Sequence, residues 1–371
     1  MDRIVYIDYL RNLANIVRCF IHASVPYMIT FAPMWPIDDD GTWFFDFAIF
    51  ESHLFVMELF FVISGYLFAF ELLNKSPIQV IKNRFNRIVI PFILGLIIII
   101  PLILSYFELG KYSANQFNLE LFKRSYIRGW ELGFENFFPT GHLWFLYYLI
   151  LFYIITLVFR KSILKMKSHS LRTILCLGIL ISMICMYFMK RWVVDNPITL
   201  APEIPSFIHY LCFFIIGVLI LRHLELLKQI KKYSKPLLII GSFMGVMALI
   251  PQLYFKRIDL EYYGLIKFAG ICFSNISIYF LVFGIWGLFG KMNLKNTSKL
   301  RYLTDSSYWV YLSNMPIVMF IHILLVDIDI PVVFKFLIAF SSAFLVSIVS
   351  YEYLVRYTII GKLLNKKRTR A

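Results

Sequence analysis

Cysteine is scarce in this sequence, and none of it is arranged for bonding. Cys19, Cys176, Cys185, Cys212 and Cys272 lie in apolar runs without CxxC spacing, so neither a disulfide framework nor a metal site is expected. Charge is scarce too. Asp, Glu, Lys and Arg make up 16% of the 371 residues, against roughly 25% in an ordinary soluble domain. Acidic residues are the rarer sign, 22 against 37 basic. No basic-aromatic soluble module accompanies that excess, so no nucleic-acid partner is expected. No soluble domain and no clear internal repeat is present. The first apolar stretch carries Arg11, Arg18 and His22 and lacks a small-residue cleavage site, so it does not read as a cleavable signal peptide.

Long apolar runs supply what is left. The chain is 60% hydrophobic and 18% aromatic, with a mean hydropathy of +0.74. Ten runs, at 10–31, 53–73, 88–107, 142–159, 171–189, 206–221, 236–255, 264–289, 307–326 and 331–355, each approach the ~20 residues needed to span a bilayer. The fold class is therefore all-α: a polytopic membrane helical bundle of about ten transmembrane helices, with residues 1–371 as one domain. The connection 108–141 is aromatic and mixed in charge, which suits a partly helical cap rather than a plain linker.

Basic residues alternate with the spans. With the N-terminus inside, inner loops hold Lys75, Lys82, Arg84 and Arg87, then Arg160 to Arg172, Arg222 to Lys235, Lys291 to Arg301, and a basic tail from Arg356 to Arg370. Outer loops hold fewer cations: Lys111, Lys123, Arg124, Arg128, Lys190, Arg191, Lys256 and Arg257. The first outer loop is acidic, with Asp38, Asp39, Asp40, Asp46 and Glu51. The positive-inside rule then puts both termini in the cytoplasm. The excess positive charge faces the anionic lipids of that leaflet, making membrane lipids a partner.

One span is unusually polar. Asp8, Arg11, Asn15, Arg18 and His22 are spaced 3, 4, 3 and 4 apart, so they share one helical face. Arg11 and His22 lie about 16 Å apart along the axis. An imidazole near mid-membrane suits a general base. A guanidinium at the cytoplasmic end suits a phosphate. A buried ladder, with Asp8 paired to Arg11 and His22 bonded to a neighbouring helix, would explain the same residues structurally. Ionisable groups inside a membrane are nonetheless functional by default.

Other constellations fit around this stripe. In HLFVMELFFVISGYLFAF, His53 stands at the outer end and Glu58 one to two turns deeper, where it needs a partner such as His22 or His142. Gly65 in the same run permits close helix contact. Arg84 and Arg87 sit three apart at the cytoplasmic mouth of the third span and suit a diphosphate. Ordinary positive-inside anchoring is the alternative. His142 and Trp144 open the fourth span at the outer boundary. Pro316 interrupts the ninth, freeing a backbone carbonyl that neighbours or a cavity must satisfy. Asn314 lies beside it, and His322 further along reads as structural. Glu352 and Arg356 are expected to pair.

YLRNLANIVRCFIH, LFFVISGYLF, the Arg84–Arg87 pair before Pro91, GHLWFL and SSYWVYL with Pro316 occur in this order over nearly the whole chain. Together they resemble the acyltransferase 3 family of integral membrane enzymes. The His53–FFVISGY spacing, the RxxR run and the ending YEYLVR look most like its glucan biosynthesis protein C subgroup, associated with succinylation of periplasmic glucans. The resemblance implies transfer of an acetyl or succinyl group from cytoplasmic acyl-CoA to a hydroxyl of an extracytoplasmic carbohydrate, in the cell inner membrane. It implies that Arg11 and His22 form the family's Arg–His motif, that Arg84 and Arg87 form its RxxR motif, and that His142 opens its HLWFL motif. The chain departs from the family at Ser313-Asn314-Met315-Pro316, where a His often precedes the proline.

The residues and the resemblance lead to one assignment. His22, Glu58 and His142 are the expected catalytic groups. Arg11, Arg84 and Arg87 bind the donor; His53, Trp144 and Asn314 bind the acceptor. Acyl-CoA is a substrate, and no bound cofactor is expected. The rival is a secondary transporter or flippase for an anionic or sugar substrate, which a proline-broken helix also suits, although matched interruptions in two inverted halves are missing. A non-catalytic scaffold would not need the polar ladder.

Overall fold

A computed structural model describes residues 4–30, 38, 40–110, 119–135, 139–167, 169–189, 194–254 and 257–364. The expected outer cations Lys111, Lys190, Arg191 and Lys256, the outer Asp39, and the tail cations Lys366, Lys367, Arg368 and Arg370 lie outside these residues. In chain order the helices are α1 (Val5–Ser24), α2 (Trp43–His53), α3 (Val56–Asn74), α4 (Pro77–Arg84), α5 (Ile90–Leu109), α6 (Leu119–Glu135), α7 (Trp144–Val158), α8 (Arg160–Lys165), α9 (Leu171–Tyr187), α10 (Ile204–Arg222), α11 (Leu224–Gln252), α12 (Tyr263–Lys291), α13 (Ser298–Leu325), α14 (Val332–Ser350) and α15 (Ile359–Leu364). No strand occurs among the described residues. The all-α fold is as expected.

Among the described residues, eight helical segments are long and apolar enough to cross a membrane: Trp43–Asn74, Pro77–Leu109, Gly141–Val158, Ile204–Arg222, Leu224–Gln252, Tyr263–Lys291, Ser298–Leu325 and Val332–Val355. α9 is apolar but only 17 residues long. α1 is 20 residues long, but Asp8, Arg11 and Arg18 dilute its apolar character. The boundaries of α1 correct the expected 10–31: it starts at Val5 and gives way after Ser24 to a 3₁₀ turn, Val25–Tyr27, that contains Pro26. The second span starts ten residues earlier than expected, because α2 precedes α3 with a break at Leu54 and Phe55. The 108–141 connection does contain a helix. α6 packs on α5, with Phe122 against Tyr106 at 6.2 Å between ring centroids.

Small residues decide how closely the inner helices approach. A Cβ on Gly65 of α3 would fall 1.9 Å from the Phe214 carbonyl oxygen of α10, and one on Gly217 would fall 2.1 Å from the Val62 oxygen. The two helices therefore touch backbone to backbone, the mode of association open to helices in lipid. Around this contact pack Phe61, Phe68, Phe152, Tyr153, Tyr210 and Phe214, with centroids 4.4 to 5.9 Å apart in their pairs. Aromatic pairs of this kind contribute about 0.5–1.5 kcal/mol each beyond area burial. α11 and α12 form a long helical hairpin; α13 packs against α1, α5 and α14. Those last contacts place α1, with its polar face, inside the protein.

Candidate active site

The α1 stripe faces the interior. Asp8, Asn15 and Arg18 are buried, and Arg11 and His22 partly so. Arg18, one turn before His22, donates from Nη2 to Asn15 Oδ1 at 3.0 Å and from Nη1 to the Tyr311 carbonyl at 3.2 Å. Its guanidinium also lies over the Tyr311 ring, 4.4 Å from the centroid.

His142 reaches the same place from another helix. Gly141 has φ +49°, a left-handed conformation that suits glycine. It opens a 3₁₀ turn, Gly141–Leu143, that feeds α7. The turn brings the His142 ring to 6.3 Å from that of His22, nearly perpendicular at 84°. Tyr311 fixes the turn by donating its hydroxyl to the His142 carbonyl at 2.7 Å, and its ring lies 5.7 Å from the imidazole. Pro316 supplies the complementary feature. Proline has no N–H, so within α13 it leaves the carbonyl four residues earlier, that of Leu312, without its helical donor. The His142 imidazole faces that carbonyl. The proline therefore does free a backbone acceptor, as its position implies.

Asn314, fully buried on α13, presents its amide to His22. His53 lies within electrostatic range of His22 and holds the Ile49 carbonyl at 2.9 Å through Nδ1. His322, read as structural, touches the backbone of His22 and sits 3.1 Å from the Tyr27 hydroxyl through Nδ1. Three helices thus converge on His22.

The other end of α1 is cationic. Arg84 pairs with Glu71 at 2.9 Å and donates to the Tyr153 hydroxyl at 3.3 Å; its guanidinium covers the Tyr153 and Phe68 rings. Arg87 interacts electrostatically with Glu71 and Arg84, and Arg11 with Tyr153. The RxxR run does not continue as α-helix. Residues Phe85–Val89 form a π-helix with Arg84 at its N-cap, a geometry often found at functional sites. Tyr308 lies between the two ends. Its ring is 6.2 Å from that of Tyr311, and it feels Tyr153 and Arg84 electrostatically.

Two expected site residues fall elsewhere. Glu58 is fully buried, and its partner is His209 of α10, Nε2 to Oε1 3.1 Å, not His22 or His142. The close α3–α10 approach over Gly65 and Gly217 turns that carboxylate toward α10. Trp144 stands near the end of its span but faces inward. It is buried against Phe61, Tyr148 and Tyr210, with centroids 5.9, 5.6 and 5.0 Å away. The aromatic density of α3, α7 and α10 encloses it. Arg18, Tyr311 and His209 were not singled out for the site by sequence. The spacing of Arg18 in the ladder was a signal for it, and Tyr311 lies within the SSYWVYL run; His209 had none. Among the described residues no His, Cys, Asp and Glu cluster could hold a metal ion.

An imidazole pair buried at one end of a polar helix and a guanidinium cluster at the other, inside a multi-pass helical bundle, form an arrangement suited to group transfer. The chain belongs to the acyltransferase 3 family, whose acyltransferase domain profile matches residues 4–352. It is a membrane acyltransferase. It is similar to the glucans biosynthesis protein C of Escherichia coli O1:K1, 25% identical over 350 residues, covering 86% of this chain and 83% of that relative. The glucans biosynthesis protein C of Escherichia coli strain K12 matches at the same identity and coverage. No solved structure matches the chain.

Proposed function

We propose that this protein moves an acyl group, acetyl or succinyl, from acyl-CoA at the cytoplasmic face to a hydroxyl of an extracytoplasmic carbohydrate, with glucans the class that the relatives' name suggests, across the cell inner membrane. The observation that carries this reading is the convergence of His22, His142 and Asn314 at one end of α1, with Arg11, Arg84 and Arg87 gathered at the other. The donor's nucleotide phosphates engage the three arginines, and Glu71 holds Arg84 in place. The pantetheine arm then follows α1 toward His22, over the roughly 16 Å set by the helix rise.

His22 takes the proton of the acceptor hydroxyl as general base. His142, fixed by Tyr311 and turned to the Leu312 carbonyl, lines the opposite wall with Asn314. His53 stands on the acceptor side. Most of the rate enhancement comes from holding donor and acceptor together across the bilayer. Both ends of the chain lie in the cytoplasm, as the distribution of basic loops indicates.

The test is His22→Ala. Acyl content of envelope glycans, measured by mass spectrometry together with protein level, should fall to background while the protein stays inserted. Retained acylation at normal protein level would remove His22 from the role of base.

A further inference from the structure

Arg18 is a buried cation that is not neutralised in the way other cations of this protein are. Arg84 is paired with Glu71, and the buried Lys335 with Asp38 at 2.6 Å. Arg18 is 4% exposed, yet its hydrogen-bond acceptors are the neutral Asn15 amide oxygen and the Tyr311 carbonyl, with the Tyr311 ring beneath. Its Nε has no partner. Burying a guanidinium without a carboxylate is costly, and a purely structural arginine would be expected to carry one. The charge lies one turn from His22 and within electrostatic range of both His22 and His142.

We infer that Arg18 is a catalytic residue that stabilises the oxyanion formed on the acyl carbonyl during transfer. The inference rests on the acyl-transfer reading of His22. The acceptor oxygen attacks the thioester carbon, and its proton passes to His22. The carbonyl π pair moves onto oxygen, and that negative charge faces Arg18. Collapse restores the carbonyl and breaks the C–S bond. The departing thiolate takes the proton back from the His22 imidazolium. An ester and a free thiol result, and nothing is oxidised. The Tyr311 contacts hold the guanidinium in place beforehand, so little reorganisation is needed as charge develops.

The test uses the full chain in vesicles with two donors, acyl-CoA and its dithioester analogue, in which sulfur replaces the carbonyl oxygen. Sulfur accepts hydrogen bonds poorly, so the wild type should slow markedly with the analogue. Arg18→Met should lose about 10²- to 10³-fold in kcat for acyl-CoA, the loss typical of one oxyanion donor, with KM little changed. Its oxygen-to-sulfur rate ratio should collapse toward that of the two donors reacting without enzyme. Arg18→Lys should recover part of both. Thermal unfolding of each variant checks the fold, and if Arg18→Met does not fold, Arg18→Lys decides through its rate ratio. A fall in kcat with the rate ratio unchanged, in whichever variant folds, would make Arg18 a structural strut and overturn the inference. A wild type that transfers no acyl group from either donor would overturn the acyl-transfer reading itself, and this inference with it.

Discussion

Glu71→Gln offers a sharp test of the donor site, because the change should improve it. Glu71 Oε2 lies 2.9 Å from Arg84 Nη2, and its Oε1 2.9 Å from Lys75 Nζ, with Arg84 and Glu71 only 19% and 14% exposed. Screening by solvent is therefore limited. A phosphate arriving at Arg84 must displace or share this carboxylate. A charge-assisted hydrogen bond is worth about 1.5–3 kcal/mol, a neutral one about 0.5–1.5. Glutamine keeps the neutral contact and drops the competing charge, a difference of about 1.4 kcal/mol or roughly tenfold in affinity. KM for acyl-CoA should fall by up to that factor, while KM for the same acyl group on pantetheine, which lacks the nucleotide phosphates, should not move. Both values can be read from initial rates in vesicles at saturating acceptor. Equal changes for both donors, or no change for either, would refute phosphate binding at Arg84.

Two further substitutions probe the scaffold. Gly65→Leu should prevent α3 and α10 from meeting, since even a Cβ would lie 1.9 Å from the Phe214 oxygen; the yield of folded protein in detergent should collapse, and wild-type yield would contradict the contact. His209→Ala should leave the fully buried Glu58 carboxyl without its hydrogen bond, costing about 1–3 kcal/mol or more. Thermal unfolding should drop while the kcat of the surviving enzyme holds. An unchanged midpoint with lost kcat would return Glu58 to catalysis.

The bundle was legible because apolar length and period are local properties of sequence. The polar stripe was legible for the same reason: five residues at steps of three and four must share a helix face. Pro316 was legible as well, because the missing N–H follows from the residue type, although which side chain would meet the freed carbonyl did not. What sequence could not supply was partnership between helices. Glu58 needed a polar neighbour, and that neighbour, His209, lies 151 positions away on α10. Its choice depended on two glycines that let α3 and α10 close on each other. Trp144 carried the composition of an interfacial residue, but the number of aromatic rings around it placed it inside. Arg18 stood in plain view within the ladder; its unusual feature, burial among neutral groups, exists only after α13 packs on α1.

Transfer across the bilayer within one bound state is the central claim, and oriented vesicles test it directly. Purified protein is reconstituted in known orientation, with labelled acyl-CoA on the cytoplasmic side only, acceptor glucan on the other, and no ion gradient. The account predicts label covalently attached to the acceptor, an acceptor mass raised by one acyl group, and loss of both with His22→Ala. Thioester cleavage supplies the driving force, so collapsing any gradient should change nothing. An acceptor of unchanged mass, with unmodified substrate crossing only while a gradient lasts, would contradict it and identify a transporter.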